Sequence, residues 1–268
     1  MQKSAKETSL EKAILKRIPY PPLKRLVAEV FADEELHAYQ EYANVVSIKR
    51  LGYNDHGPVH MRKVVQNALI LADLLHRAGI PLSLENEDIG TYEDSLVALF
   101  FAGMLHDIGM SVTRSSHEEF SVILARPILE RHLNSHYPGD IRKRVIVGAL
   151  ITECIGGHMG AIEINSLEAG IILIADGSDM EKGRARIPLM ISTDAKVGDI
   201  HKYSSSAIEK ILLEKGENKP IRMTVHMSTN VGFFQVEEVL FPKLSRSTIR
   251  NHVELFAGVI GEPLKRYL

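Results

Sequence analysis

Apolar residues recur at helical spacing along the first two thirds of the chain, and this pattern predicts a bundle of helices. In segment 58–77, positions 60, 64, 68, 71 and 75 hold His, Val, Ala, Leu and Leu, which is the spacing of a core-facing helix surface. Pro58 is well placed at the first position of this helix and Gly79 at its end. The same spacing predicts helices that end at 106–107, run from 115 to about 133 and from 138 to about 154, and carry position 176.

Local signals predict where several of these helices begin. Asp33 is a suitable cap within the helical segment 23–50, and Ser115-Ser116 are predicted to cap another helix. Asn165, followed three residues later by Glu168, has the arrangement of a capping box. Residues 82–91 are acidic and are expected to form a loop.

The pattern changes after Pro188. Ile208–Leu213 and Ile221–Met227 are short runs rich in β-branched residues, joined by a turn-forming segment, and they predict a β-hairpin. Residues 228–244 and 247–259 are expected to be helical, with Ser247 as a cap. The sequence therefore predicts a mainly α protein with an N-terminal helical arm (1–50), a multi-helix bundle (51–194) and a small α+β C-terminal unit (195–268) that contains the hairpin.

Composition and charge narrow the classes of function. The chain has 32 basic and 34 acidic residues and a formal net charge of −2, so there is no electrostatic case for binding nucleic acid or an anionic membrane. No apolar stretch approaches the roughly 20 residues that span a bilayer, and the N-terminus lacks the apolar core of a signal peptide. The single cysteine, Cys154, suits a reducing compartment. We therefore expect a cytoplasmic protein, with self-association left open.

An adjacent histidine and aspartate, His106 and Asp107, follow the apolar run 96–105. An imidazole and a carboxylate at this place are costly to desolvate without a partner, and a divalent metal ion suits both groups. His60 and Asp176 also lie among apolar residues, and Gly103 leaves room for a second helix to approach closely. Together these residues predict a metal ion shared between helices.

Each of these residues also has a purely structural interpretation. His60 could be a core histidine hydrogen-bonded to a carbonyl group. His106 could complement the dipole at a helix C-terminus, although this leaves Asp107 unexplained. Asp176 could form a buried salt bridge with Arg184 or Arg186.

The order His60, His106-Asp107, Asp176 resembles the HD superfamily of metal-dependent phosphohydrolases over roughly residues 50–190. The resemblance implies that His60, in the form His-x-x-Lys-Val, binds a metal ion together with His106, Asp107 and Asp176. It also implies the remaining parts of an HD-type site, namely a second metal held by His117 and His158, a bridging role for Asp107 that positions the nucleophile, and a leaving-group acid at His56. The implied cofactors are one or two divalent ions of Mn, Fe, Co, Ni, Zn or Mg.

The chain departs from one branch of this superfamily and adds a basic segment. Met110 stands where the HD-GYP phosphodiesterases have lysine, and no Gly-Tyr-Pro motif is present, which argues against cyclic di-GMP as substrate. Lys182, Arg184 and Arg186 follow Asp176, and basic side chains beside a metal site suit a phosphate group. The alternative is a solvated charged loop. Asp179 could orient a ligand or these arginines.

Residues and resemblance together predict a metal-dependent phosphohydrolase. It would cleave a small phosphomonoester or phosphodiester, such as a nucleotide, with metal-activated water. Two interpretations from other classes stay open, a di-iron oxygenase of the HD fold with nearly the same ligand order, and a non-catalytic sensor or interaction module with a structural metal.

Overall fold

The structure is a computed structural model, and it describes residues 3–182, 184 and 200–268. Helices form most of this part of the chain. In chain order the helices before the gap are α1 (Ala5–Arg17), α2 (Pro21–Phe31), α3 (Glu34–Val45) with a π-helical extension (Val46–Arg50), α4 (Pro58–Arg77), α5 (Ser83–Asn86), α6 (Tyr92–Leu105), a 3₁₀ turn (Ile108–Ser111), α7 (His117–His136), α8 (Ile141–Gly157) and α9 (Leu167–Gly177). The prediction of a mainly helical bundle is confirmed.

The apolar stripe predicted for α4 faces the core. His60, Val64, Ala68, Leu71 and Leu75 are all buried, and Pro58 occupies the first turn. α4 packs along α6, which is buried on every side, as an apolar central helix should be. This pairing of helices sets the distance between positions 60 and 106.

Gly103 makes the close approach of α4 and α6 possible, as its place in the sequence predicted. A Cβ atom at position 103 would lie 2.7 Å from Cγ2 of Val65 and 3.1 Å from its backbone nitrogen. Real Cβ atoms essentially never lie under 3.0 Å from another heavy atom. The two helices therefore meet backbone to backbone at this point.

The caps are partly as predicted. Asp33 caps α3, since its Oδ1 accepts a hydrogen bond from the backbone N–H of Leu36 over 3.1 Å. Ser116 precedes α7 but does not cap it with its side chain, because its backbone is left-handed, with φ 53°. α9 is capped by Ser166, so the capping box expected at Asn165 is wrong.

Glu168 explains why that capping box does not form. Its side chain is buried and accepts hydrogen bonds from Ser95 Oγ over 2.6 Å and from the backbone N–H of Ser83 over 3.3 Å. Ser83 begins the short helix α5, in the segment that was expected to be a loop. Glu168 thus connects α9 to α5 and α6 and is not available to close a cap.

The predicted hairpin is present and belongs to a larger sheet. After α10 (Ile200–Ala207), β1 (Ile208–Lys215) pairs antiparallel with β2 (Ile221–Met227). Two helices, α11 (Gly232–Gln235) and α12 (Phe241–Arg246), with a π-helical segment between them (Val236–Leu240), lead to a 3₁₀ turn (Arg250–His252) and to β3 (Val253–Val259) and β4 (Lys265–Arg266). The strand order is β1-β2-β3-β4, with β3 parallel to β2.

The prediction of a helix over 247–259 is wrong, because most of this segment is β3. Val253, Leu255 and Ala257 are fully buried at alternate positions, which is strand periodicity. The partner strand β2 lies about 30 residues earlier, and parallel strands need such a crossover. The stabilising contacts are therefore not local in sequence.

The sheet and its helices pack on the bundle. Apolar residues of β2 and β3 belong to the same core cluster as those of α4, α6 and α9, and α12 lies against α9. The division into three units at 50 and 194 stays a prediction. Among the described helices, none combines the length with the apolar character that crossing a bilayer requires.

Candidate metal centre

Six buried side chains from five helices or helix ends converge in the bundle. They are His60 on α4, His106 and Asp107 directly after α6, His117 at the start of α7, His158 directly after α8, and Asp176 near the end of α9. The sequence predicted all six as metal ligands, and the structure brings them together in two groups that share Asp107.

The first group contains His60, His106, Asp107 and Asp176. The Nε2 atoms of the two histidines are 3.1 Å apart, and Oδ2 of Asp107 lies 3.3 Å from each of them. Oδ1 of Asp176 lies 3.2 Å from Nε2 of His60. Two ligands that each bind a cation at about 2.0–2.2 Å lie at such separations from one another.

The second group contains His117, His158 and the other oxygen of Asp107. The two Nε2 atoms are again 3.1 Å apart, and Oδ1 of Asp107 lies 3.2 Å from His117 and 3.5 Å from His158. Each oxygen of this one carboxylate therefore faces a different pair of histidines. This is the geometry of a carboxylate that could bridge two cations.

Hydrogen bonds at the opposite ring nitrogen orient all four histidines. In His106, His117 and His158, Nδ1 lies 3.0, 3.1 and 2.6 Å from the carbonyl oxygen three residues earlier. Nδ1 of His60 lies 2.7 Å from Oδ2 of Asp179. Because a carbonyl oxygen only accepts hydrogen bonds, Nδ1 carries the proton in those three rings and the lone pair of Nε2 points into the cluster.

Asp107 supplies the strongest indication that a cation belongs here. Its Oδ2 is buried and has no hydrogen-bond partner among the described residues, and a buried carboxylate oxygen without a partner is costly. Imidazole nitrogen and carboxylate oxygen are ordinary ligands of divalent metal ions. Both groups, His60-His106-Asp107 and Asp107-His117-His158, have the spacing of metal sites. The residues fit a divalent cation, and this donor set suits several different metals.

The charges of the cluster agree with this assignment. Burial lowers the pKa of His158 to about 4, so its imidazole is neutral at pH 7. Burial opposes ionisation of Asp107 and Asp176, but the neighbouring His106 and Lys243, respectively, hold both pKa values well below the usual range. The carboxylates are therefore anionic.

His60 has an unusually high proton affinity. Burial and the charge of Arg184 oppose its protonation, but the adjoining carboxylates of Asp107, Asp176 and Asp179 outweigh them and raise its pKa to about 10. A proton and a metal cation compete for the same nitrogen lone pair. The carboxylates that raise this pKa equally favour a metal cation.

The three basic residues predicted to bind phosphate differ in position. Arg184 lies at the cluster, with Nη2 3.2 Å from Nε2 of His60 and Nε donating to the carbonyl oxygen of Asp55 over 2.8 Å. Lys182 instead pairs with Glu209 on β1 over 2.5 Å, and its side chain is 55% exposed. Arg186 lies outside the described residues.

His56, the predicted leaving-group acid, lies beside the first group, with its ring centre 5.8 Å from that of His60. Nδ1 lies 2.8 Å from Ser47 Oγ and 2.7 Å from the carbonyl oxygen of Asn54. The residue is half-buried, and burial of its ring lowers the pKa to about 3 despite the nearby Asp107. A histidine with this pKa is neutral at pH 7, so the acid role stays a prediction that the pKa does not favour.

Two cations at the cluster were missed by the sequence analysis. Nη1 of Arg114 lies 3.3 and 3.4 Å from the ring nitrogens of His117. Nζ of Lys243 donates to Oδ2 of Asp176 and, over 2.9 Å, to the carbonyl oxygen of His158. The position of Arg114, three residues before a predicted ligand, was an available signal. Lys243 comes from α12, far along the chain, and no local pattern indicates it.

A cavity of about 110 Å³ adjoins the first group on the side of Asp179. Basic side chains in its wall include Lys6 on α1, Lys63 on α4 and Arg184. The N-terminal helix therefore contributes to the surroundings of the metal centre. Space beside His60 is available for part of a bound molecule.

The chain is similar to known proteins over the region that forms this cluster. A family model described as HD domain matches residues 59–181, which contain all six converging residues. The chain belongs to the HD domain family. The HD-domain chain is also 36% identical over 239 residues to an uncharacterized protein of Methanocaldococcus jannaschii, with 89% of this chain and 90% of that protein covered. No solved structure matches the present chain significantly.

Proposed function

We propose that this HD-domain chain is a metal-dependent phosphohydrolase that cleaves a phosphomonoester or phosphodiester, such as a nucleotide. The observation that carries the proposal is the Asp107 carboxylate, which faces one pair of histidines with each oxygen and whose Oδ2 has no hydrogen-bond partner in the described part of the chain. The chemistry that divalent cations supply at such a site is activation of a water molecule and polarisation of a phosphoryl oxygen.

The charge around the cluster supports an anionic substrate. Among the residues that the structure describes, the charged side chains in contact with its ligand candidates, apart from the histidines, are four carboxylates (Asp107, Asp176, Asp179 and Glu118) and three cations (Arg114, Arg184 and Lys243). Before any metal binds, the proton that His60 holds, with its pKa of about 10, balances this group. Once a metal cation has displaced that proton, the side chains carry one excess negative charge. One divalent cation reverses that sign and a second makes the centre strongly positive, which attracts a phosphate group.

The arginines support phosphoryl chemistry from two sides. Arg184 contacts His60 in the first group and Arg114 contacts His117 in the second. Guanidinium groups bind phosphate oxygens in pairs and offset the charge that develops as the ester breaks. A chemistry without anionic substrate makes no use of this arrangement, which is why we favour hydrolysis over oxygenation.

The test is turnover by protein of defined metal content. The chain is stripped with a chelator, reloaded separately with each of Mn²⁺, Fe²⁺, Co²⁺, Ni²⁺, Zn²⁺ and Mg²⁺, and incubated with a panel of phosphorylated metabolites that includes nucleotides. We expect release of phosphate or of a phosphomonoester that depends on metal, is lost in Asp107→Asn and is retained in Asp73→Asn. Asp73 is a matched control because it lies on α4 in an exposed pair with Arg77.

Two results would overturn the proposal. If protein loaded with ferrous iron consumes oxygen while no metal form cleaves any ester of the panel, the oxygenase interpretation replaces it. If the protein binds metal and catalyses neither reaction, the metal is structural and the chain is a sensor or interaction module.

A further inference from the structure

Lys243 places an ammonium group against ligand candidates of both halves of the metal centre. Its Nζ donates to Oδ2 of Asp176 in the first group and to the backbone carbonyl of His158 in the second. Lys243 lies on α12, beyond the residues that the HD family model matches. It is a contact through which the C-terminal part of the chain reaches the centre.

The packing of α12 on α9 holds this ammonium group in place. Ser247 Oγ donates to the carbonyl oxygen of Gly170 over 2.9 Å, and Thr248 Oγ1 donates to that of Ser166 over 2.7 Å. At Gly177 a Cβ atom would lie only 3.1 Å from Cδ of Lys243, so glycine leaves room for the lysine stem. A side chain fixed in this way has already lost its conformational freedom before a ligand binds.

A simpler interpretation is an ion pair that only neutralises Asp176. An ammonium group has three N–H donors, and Asp176 and His158 account for two of them. Oδ1 of Asp176 is the oxygen that faces His60, at 3.2 Å, while Oδ2 faces Lys243. When a cation is present at Oδ1 it shares the charge of this carboxylate, so the charge of Lys243 is no longer fully compensated and becomes available to an anion.

We propose that Lys243 is a substrate-binding residue that binds a phosphate oxygen when the metal centre is loaded. This inference rests on the proposed function and names a residue from the C-terminal unit as part of its substrate site. Lysine suits the role because its ammonium group acts as a point charge that needs no fixed orientation of the phosphate.

The experiment measures binding of inorganic phosphate to the full-length, Mn²⁺-loaded protein by isothermal titration calorimetry, without turnover. Lys243→Gln keeps most of the length and N–H donors for Asp176 and His158 but removes the charge. Lys243→Arg keeps the charge. Lys265→Gln is the matched control, since Lys265 is an exposed lysine on β4 that pairs with Glu237.

We expect phosphate affinity to fall about tenfold or more in Lys243→Gln, as for loss of a charge-assisted hydrogen bond. Lys243→Arg should recover most of it, and Lys265→Gln should equal the wild type. Metal content, measured by elemental analysis, should be the same in all four proteins. A crystal structure of the loaded wild type with phosphate needs no variant, and in it Nζ of Lys243 should lie about 3 Å from a phosphate oxygen.

The inference is overturned if Lys243→Gln binds phosphate with an affinity within twofold of the wild type. It is also overturned if this variant loses its metal, because Lys243 is then a positioning residue for Asp176. The two proposals fail differently. If the wild type binds phosphate through Lys243 but cleaves no ester, the proposed function is wrong and the assignment of Lys243 stands. If the wild type hydrolyses esters and Lys243→Gln hydrolyses them equally well, the assignment of Lys243 is wrong and the proposed function stands.

Discussion

Replacing Gly103 by alanine tests whether the close packing of α4 on α6 builds the metal centre. The added Cβ would lie 2.7 Å from Cγ2 of Val65 and 3.1 and 3.2 Å from its backbone nitrogen and Cα. Valine in a helix has one strongly preferred rotamer, and the backbone atoms cannot rotate away. The two helices must therefore separate by a few tenths of an ångström.

The expected cost follows from two opposing effects. Overpacking of a core costs about 1–3 kcal/mol, and alanine in place of glycine inside a helix returns about 1 kcal/mol. We expect Gly103→Ala to lower the free energy of unfolding of the metal-free protein by about 1 kcal/mol. Gly148→Ala on α8 is the control, because its Cβ would meet only Leu133 Cδ1, at 3.8 Å, and it should gain about 1 kcal/mol.

Urea unfolding of both variants measures this gap of about 2 kcal/mol, which corresponds to roughly 4–8 °C in Tm. Metal titration of the same proteins measures the consequence for the site. His60 and Val65 share α4, so metal affinity should fall in Gly103→Ala and stay unchanged in Gly148→Ala. Equal stability changes in the two variants, or an unchanged metal affinity in Gly103→Ala, would refute the reasoning.

Three further predictions concern the ligands and a distant carboxylate. Asp107→Asn should lower the metal content of both groups, and elemental analysis that still finds wild-type stoichiometry would contradict a shared ligand. His117→Ala should lose one ion per chain and keep the other, so an unchanged count rejects the second site. Burial opposes ionisation of Asp33, but hydrogen bonds from Arg131 and others lower its pKa from 3.8 to about 2. This depressed pKa stabilises the fold above about pH 4 and the effect is lost as pH falls to about 2. It amounts to about 1 kcal/mol after solvent screening. Asp33→Asn should lack this acid-dependent loss in pH-dependent unfolding, and identical curves for both proteins would argue against it.

Residues whose neighbours lie within one helix were predictable from the sequence. The stripe that contains His60 follows from helical periodicity, because the same face carries Val64, Ala68 and Leu71. His106 and Asp107 were identifiable because two polar groups directly follow an apolar helix that is buried on every side. In both cases burial is specified by positions three or four residues away, and periodicity reports such positions.

Features that depend on distant segments were not predictable in this way. β3 is a strand because it pairs with β2, and its own composition reads equally well as a helix. Lys243 reaches Asp176 across 67 positions of the chain. On α9, Gly177 leaves space for Lys243, and Gly170 leaves space for Ser247 and Thr248, which follow α12. Glycine positions in α9 were visible in the sequence, but the partner that fills the space beside them was not.

The anchors of His106 and His158 connect metal binding to the opening of helix ends. Both residues follow the last residue of a helix, α6 and α8, and their Nδ1 atoms bind carbonyl oxygens of the last turn, the groups that a helix end leaves short of partners. Fraying of either end breaks this bond and frees the ring at the same moment, so both changes belong to one local unfolding event. A cation held by Nε2 opposes that event. Amide hydrogen exchange should therefore slow in the final turns of α6 and α8 when metal is added. The middle of α6 opens only with the whole bundle, so its exchange should show the smaller change that global stabilisation produces.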